Sequence, residues 1–565
     1  TSSLRFFGQY ANVDRNGSAM KGIDDTTVGA RNLRQDTASK LELTSSVIAG
    51  IYEKDLGFAT LKILASTQSD SIFVERDNDR HVYGTPAPSI PGTSDPNTQA
   101  DTYTRAEFLP ETSEVDTETF EFNLVSNEPI MDGKLDWAVG VFYMNHEIEN
   151  HIREYLDKGS ETIPSSPANV ILYECGSVYA LAAPNCFDPA TGDPYTADLG
   201  FVTDAFPSRE SKSIYAQTTY SFDESLRLIS GFRWTEDIFE SLVSNFYGAE
   251  TPPLLTNKDL DNDEVTGKIT VEYDVDSDTM VYLSQTRGFK PGGSNLTFGR
   301  TKEGDAARNA NVPPFLRADL VDPMVLPTFG PEILDATEIG IKTDFLDGRA
   351  RANIAIFDYS YEDLQIQATD PDVYRGGVVN LPESEVQGLE IEFTASLTDS
   401  LILDANLAFL DTEITKSYMY LDNVLAQQYS FTNESDREAL AQDIIGKELP
   451  KSPKFTADVS LIYTADLSSG DVFNSAIQFI KRGKFFQRVA NNTDYGANDV
   501  VDGYDIFNIM AGIDYASGWG FDIMVTNVGD EDGMNSAMTD VFGVGATGIE
   551  YIPPRQIMTR FSYDF

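Results

Sequence analysis

The sequence predicts an all-β protein, a transmembrane antiparallel β-barrel. Three observations predict it: apolar and polar residues alternate with period two in about 18 segments, the polar stripe of those segments carries charge, and short and long connections take turns along the chain. Amphipathic helical patterns are nearly absent.

The strand cores are expected to start near Ser3, Ala38, Gly57, Asp116, Lys134, Ser211, Leu226, Glu264, Met280, Ala336, Arg349, Glu385, Leu401, Ser452, Val472, Gly503, Trp519 and Arg555. Leu135, Trp137, Val139, Val141 and Tyr143 make one stripe. Val265, Ile269, Val271 and Tyr273 oppose Thr266, Lys268, Thr270 and Glu272. Leu389, Ile391, Phe393, Ala395 and Leu397 oppose Glu390, Glu392, Thr394 and Ser396. Phe455, Ala457, Val459, Leu461 and Tyr463 oppose Thr456, Asp458 and Ser460. Glu121, Lys268, Glu272, Lys342, Asp344, Glu390, Glu392 and Asp458 all fall on polar stripes. A dry sandwich core could not take those charges without a large desolvation cost. A sheet with lipid on one face and water on the other can.

The short connections, Asn127–Gly133, Asp223–Ser225, Asp274–Thr279, Phe345–Gly348, Thr398–Ser400 and Ser468–Asp471, carry the Asp, Ser and Gly of tight turns. The long ones are Arg15–Thr37, Asp77–Ser113, Glu149–Arg209, Pro291–Leu334 and Lys416–Lys451. In an antiparallel barrel this alternation puts all short turns at one rim and all long loops at the other, as periplasmic turns and extracellular loops are arranged in outer-membrane barrels. Within the last loop, Asn433–Gly446 reads as a short helix: Ser435 and Glu438 have capping-box spacing, Gly446 suits the end, and Leu440 and Ile444 would face the loop interior. It either fills the loop or gates the mouth.

Composition narrows the function. Asp and Glu number 90 against 41 Lys and Arg, for a formal charge of -49. That field repels phosphates, so no nucleic-acid partner is expected. Hydrophobic residues at 41% and aromatics at 11% are too many for a disordered coil. No run approaches the roughly 18 apolar residues of a membrane helix, a test blind to membrane strands. No leader pattern precedes Thr1, so any signal peptide is expected to have been removed. The alternative folds are a large soluble β-sandwich, a propeller or a β-helix, and the last two lack their repeat period here.

The last strand ends Arg555-Gln-Ile-Met-Thr-Arg-Phe-Ser-Tyr-Asp-Phe565, with Ile557, Thr559, Phe561, Tyr563 and Phe565 on one face. The terminal aromatics Tyr563 and Phe565 resemble the signal by which outer-membrane proteins are recognised by the barrel assembly machinery. Further segments resemble the C-terminal barrel of TonB-dependent outer-membrane receptors. They are Ser284–Asn295, Glu338–Arg349 followed by Ala352–Leu364, Val386-Gln-Gly-Leu-Glu390, Leu449-Pro-Lys-Ser-Pro453, Asn527-Val-Gly-Asp530 and Pro553-Pro-Arg555. Their order and spacing over Ser211–Phe565 carry the likeness, and the first 210 residues fit more loosely.

The resemblance implies a barrel of about 22 strands, with residues 1–565 supplying about the last 18. It also implies an N-terminal plug domain and a TonB-contacting segment, neither recognisable in this chain. The expected protein sits in the outer membrane of a Gram-negative bacterium. Its partners are the TonB system, through a segment missing here, together with outer-membrane lipid, lipopolysaccharide and the assembly machinery. Its role is energised uptake of a scarce nutrient, with siderophore, cobalamin and oligosaccharide classes left open. The other readings are a plugless passive channel or structural envelope barrel, and a soluble secreted β-rich enzyme or adhesin.

Few residues offer chemistry. Phosphate-binding, nucleophile-elbow and zinc-protease motifs are missing from the sequence, so neither catalysis nor a cofactor is expected. Cys175 and Cys186, with ten residues between them in the longest connection, are expected to form a disulfide that restricts the unfolded chain by about 3 kcal/mol. Free thiols are the alternative. His146 and His151 lie near Glu147 and Glu149, but five positions apart in a strand they fall on opposite faces, so no metal site is expected. Asp261–Glu264, Asp370–Asp372 and Asp530–Gly533 are acidic segments that either bind calcium or form a solvated surface, which divalent cations could bridge to lipopolysaccharide.

Overall fold

The computed structural model describes residues 2–17, 20–22, 28–33, 39–77, 106–157, 198–247, 254–295, 328–370, 375–420, 422, 441–493, 499–539 and 547–564. Eighteen strands form one sheet. They are β1 (Ser2–Asn16), β2 (Lys40–Asp55), β3 (Ala59–Asp77), β4 (Ala106–Ser126), β5 (Leu135–Asp157) and β6 (Asp198–Ser221). Next come β7 (Leu226–Tyr247), β8 (Leu254–Asp274), β9 (Thr279–Lys290), β10 (Glu332–Phe345), β11 (Ala350–Asp370) and β12 (Arg375–Thr398). The last are β13 (Leu401–Ile414), β14 (Phe455–Asp466), β15 (Val472–Arg482), β16 (Tyr504–Asp514), β17 (Trp519–Thr526) and β18 (Gln556–Tyr563). Each strand pairs antiparallel with the next, so the sheet is an uninterrupted meander.

The register fixes the faces. Val271, Leu283, Ile339, Ile356, Leu389 and Phe409 lie on one face of consecutive strands. Most of this stripe stays bare: Leu283 is 52% exposed, Ile339 55% and Ile356 57%. An apolar band this wide on a free surface marks a face built for lipid. Glu338, Gly340, Lys342, Glu390 and Glu392 lie on the opposite face, as the alternation predicts.

Turns between strands sort by length. At one rim the tight turns are set by residues in the left-handed region, including Gly57, the run Met131-Asp132-Gly133, the run Leu346-Asp347-Gly348, Gly470 and Gly518. At the other rim the strands run further than their apolar alternation. β4 begins at Ala106, β5 continues to Asp157 and β6 begins at Asp198, so strand replaces much of the expected loops. Above the band, hydrogen bonding alone continues the ladder through polar sequence. One expectation is corrected here. The proposed helix over 433–446 gives way, in its described part, to the bridge Gln442–Asp443 paired with Met419–Tyr420, and then a turn in which Gly446 has φ +79°. Ile444 is fully buried as expected, but in a loop core and not on a helix face. Leu440 lies outside the described residues.

β1 and β18 end the sheet. No ladder joins them among the described residues, and each is paired on one side alone. Every residue of β18 is exposed, and in β1 only Ala11 and Val13 are partly covered. Phe6 at 78% and Phe561 at 73% are among the barest aromatics.

Candidate functional site: the polar face and the long-loop rim

The polar face is lined by side chains that lie along the wall. Glycines make this possible. Tyr282 lies directly across from Gly340, and a Cβ at that glycine would fall 2.4 Å from the ring. The ring therefore lies flat over the neighbouring strand, and its hydroxyl donates to Glu338 at 2.5 Å. Tyr215 lies across from Gly140 in the same way and donates to Glu121 at 2.5 Å. Phe357 covers Gly388 and stacks on Tyr359 at 4.6 Å. Arg233 rests over Tyr215 and Phe142, at 5.3 and 5.4 Å, and donates to Ser213 at 2.7 Å.

Several charges of this face are paired or hydrogen-bonded across strands. Arg351 meets Asp344 at 2.6 Å, Asn353 donates to Glu392 at 3.0 Å, and Thr394 donates to Asp404 at 2.7 Å. Gln478 grips both oxygens of Asp458 and receives a bond from Asn508 at 2.8 Å. Arg560 of β18 holds Asp522 at 2.8 Å. The result is a wetted, acid-rich wall with its side chains tied down, suited to enclosing polar matter rather than packing dry.

At the long-loop rim three arginines join segments that lie far apart in the chain. Arg31, in the loop after β1, pairs with Asp532 at 2.8 Å and Asp530 at 3.3 Å and donates to the carbonyls of Glu531 and Ile552. Beside it Lys21–Gly22 adds an edge to the Met534–Thr539 and Thr547–Tyr551 hairpin between β17 and β18. The two ends of the sheet are thus tied through their loops, although no ladder joins their strands among the described residues. Arg482 lies between Phe485 and Tyr504, at 4.9 and 4.5 Å, and donates to the carbonyls of Met534 and Asn535. Arg488 binds Asp422 and Asp499 at 2.7 and 2.5 Å. These links rest on contacts between distant loops, and no sequence spacing announced them.

The acidic segment Asp530–Gly533 serves this clasp. Asn527, 3% exposed with φ +47°, accepts from the Glu531 amide at 2.8 Å and donates to the carbonyls of Glu531 and Pro553. The Arg555 amide and then the Arg31 guanidinium hold the Asp530 carboxyl below its ordinary range. His146 and His151 go different ways, as strand geometry requires. His146 meets the Thr117 hydroxyl at 2.8 Å, while His151 sits between Asp204 at 2.7 Å and Glu149 at 3.0 Å. Among the described residues no cluster could hold a metal ion. Tyr563 packs against Trp519 at 4.7 Å, while Cys175, Cys186 and Phe565 lie outside the described residues.

Comparison with known proteins places this architecture. The sequence profile of the family described as TonB dependent receptor-like, beta-barrel, matches residues 2–528. A probable TonB-dependent siderophore receptor of Acinetobacter baumannii, PiuA, is 26% identical over 309 residues, 54% of this chain and 37% of that protein. The metal-pseudopaline receptor CntO of Pseudomonas aeruginosa is 23% identical over 210 residues, 37% of this chain and 25% of that protein. The matched stretches thus span well under half of either relative. Among solved structures, the ferric yersiniabactin uptake receptor FyuA from Yersinia pestis superposes with TM-score 0.67 at 13% identity, covering 100% of this chain and 68% of that one. The siderophore receptor PiuA from Acinetobacter baumannii gives TM-score 0.65 at 16% identity, covering 100% and 72%.

Proposed function

The chain belongs to the TonB-dependent receptor-like β-barrels of the Gram-negative outer membrane, and from that premise we propose that it forms the barrel of an energised receptor for a scarce nutrient. The observation that carries the reading is the two-faced sheet. Its apolar face is left bare for acyl chains, and its polar face is wet, charged and held flat by glycine–aromatic pairs. Ligand would be captured at the long-loop rim and pass along the polar lumen. The driving energy comes from TonB acting through a segment that is not among these residues, and no step of bond chemistry is assigned to this chain.

Residues 1–565 are read as the last 18 strands of a 22-stranded wall. β1 and β18, each with a ladder on one side alone among the described residues, support that reading, since further strands would cover their other edges. A separate plug domain completes the receptor. The cargo is a metal chelate, the class to which the names of PiuA and CntO point, while cobalamin and oligosaccharides remain the competing cargoes. Lipopolysaccharide surrounds the barrel, and the assembly machinery reads its terminal aromatics, Tyr563 and Phe565. Cys175 and Cys186 staple the connection between β5 and β6. Alkylation without reductant should add no mass to the mature protein, and two labels would remove the staple.

Growth tests the function. Deleting the gene should abolish use of a ferric chelate as sole iron source. Inactivating TonB should give the same loss. Uptake that survives without TonB would make the protein a passive channel, and single-channel conductance would then show an open pore.

A further inference from the structure

Two tight turns at the short-turn rim share one design. The turn between β4 and β5 runs Ile130-Met131-Asp132-Gly133-Lys134, and the turn between β10 and β11 runs Phe345-Leu346-Asp347-Gly348-Arg349. Each places two apolar residues, an aspartate, a glycine and a cation in that order. Their backbones match as well: φ is +56°, +59° and +79° over Met131, Asp132 and Gly133, and +56°, +58° and +78° over Leu346, Asp347 and Gly348. Local bonds hold both shapes. The Lys134 amide donates to the Ile130 carbonyl at 3.0 Å, and the Arg349 amide and Nε both donate to the Leu346 carbonyl at 3.3 Å. Lys134 Nζ also reaches the Phe222 carbonyl, in the turn between β6 and β7, at 3.1 Å.

In water, the apex residue of each turn would be a poor choice. A side chain with a Cβ is strained at positive φ, and glycine or asparagine sits there at lower cost. Met131 is 63% exposed and Leu346 57%, so little contact within the chain offsets that strain. Ile130 and Phe345 are exposed beside them, and other turns of the rim add Phe58, Phe222 and Val275. This surface continues the bare apolar stripe past the strand ends, as a membrane-contacting patch would. Depth agrees. On β10 the one charged residue of the outward face is Asp335, which accepts from Arg287 of β9 at 2.8 Å. A strand tilted by about 40° descends about 2.6 Å per residue, so an apolar band about 25 Å tall spans about ten residues. Counted from Asp335, the band ends near Phe345, and Leu346 follows it. We propose that these two turns are lipid anchors, their apices seated in the phospholipid of the periplasmic leaflet.

The chemistry of the turns sets how deep they sit. The Met131 and Leu346 side chains gain by leaving water for acyl chains. The carboxylates of Asp132 and Asp347 and the polar turn backbone cannot enter hydrocarbon. The apices therefore stop at the glycerol level, with the apolar side chains in the upper acyl region and the carboxylates among the headgroups. A girdle on the strand ends alone would leave these turns in water, whereas here the turns themselves take part. The two anchors lie six strands apart in the sheet, so together they set the height of the wall at two separate places. The anchor rests on the barrel reading, and position 356 on the lipid face separates failure of one from failure of the other.

Fluorescence quenching of the full chain in vesicles of phosphatidylethanolamine and phosphatidylglycerol tests it. Met131→Cys, Leu346→Cys and Ile356→Cys, each made with Cys175→Ala and Cys186→Ala, carry a bimane label. A lipid nitroxide at acyl carbon 5 should quench positions 131 and 346 at least as strongly as one at carbon 12, and aqueous iodide should quench them little. Position 356 should answer to the lipid nitroxides alone. Strong iodide quenching at 131 or 346, with no response there to either lipid nitroxide, would overturn the anchors and leave those apices to water or to a periplasmic protein. Lipid quenching at 356 in the same vesicles would leave the barrel standing. A label-free measurement has the opposite sign to backbone preference. Leu346→Asn suits the left-handed turn better, yet it should shift urea unfolding in the vesicles to lower concentration, and Met131→Asn should do the same. An unchanged or raised midpoint in both variants would also overturn the proposal.

Discussion

Asn527 shows what a single side chain does at this rim. Its backbone sits in the left-handed region that asparagine tolerates, and its side chain closes the turn against Glu531 and Pro553. Removing it leaves the Glu531 amide and the Pro553 carbonyl without this partner in a nearly buried place, each worth about 1 kcal/mol or more, while the Glu531 carbonyl keeps Arg31. Asn527→Ala should therefore weaken the β17–β18 hairpin by about 2 kcal/mol, seen as faster exchange at Glu531 and Arg555 with the β9–β12 amides unchanged. The sequence marks Asn527-Val-Gly-Asp530 as a distinctive run but cannot say why, because its partners Arg31 and Asn508 are hundreds of positions and one strand away. The divergent faces of His146 and His151 are legible, since strand parity alone decides them. The bonds of His151 to Asp204 are not, since they depend on β6 beginning at Asp198 within what reads as loop.

At the scale of elements, period-two alternation is enough to place most strand interiors and both faces, because register in a half-apolar sheet is fixed by the pattern itself. It fails at strand ends and in loops. Above the lipid, polar runs such as Asn145–Asn150 keep pairing with no apolar stripe to announce them. The helix expected at 433–446 rested on capping spacing, a local preference; in the described part, the bridge to Met419–Tyr420 and the burial of Ile444 prevail. The two faces also predict opposite sensitivities. Ile356→Arg places a charge on the lipid side and should cost about 2–4 kcal/mol if it lies at mid-membrane. Glu390→Gln on the wet side should leave stability nearly unchanged. Urea unfolding of both variants in lipid vesicles checks the contrast.

The whole molecule is a wall held by pairing along its length and by arginine-linked loops at one rim. Its acidic excess, -49 in all, is tolerable because water reaches the polar face and cross-strand partners share the charge there. The account stands or falls on which face meets lipid. Spin labels placed singly from Leu389 to Thr394 in the membrane-inserted protein measure this directly. Oxygen should collide most at Leu389, Ile391 and Phe393, and a water-soluble nickel chelate most at Glu390, Glu392 and Thr394. Uniform access along the strand, or oxygen maxima at the glutamates, would contradict the barrel and the transport reading built on it.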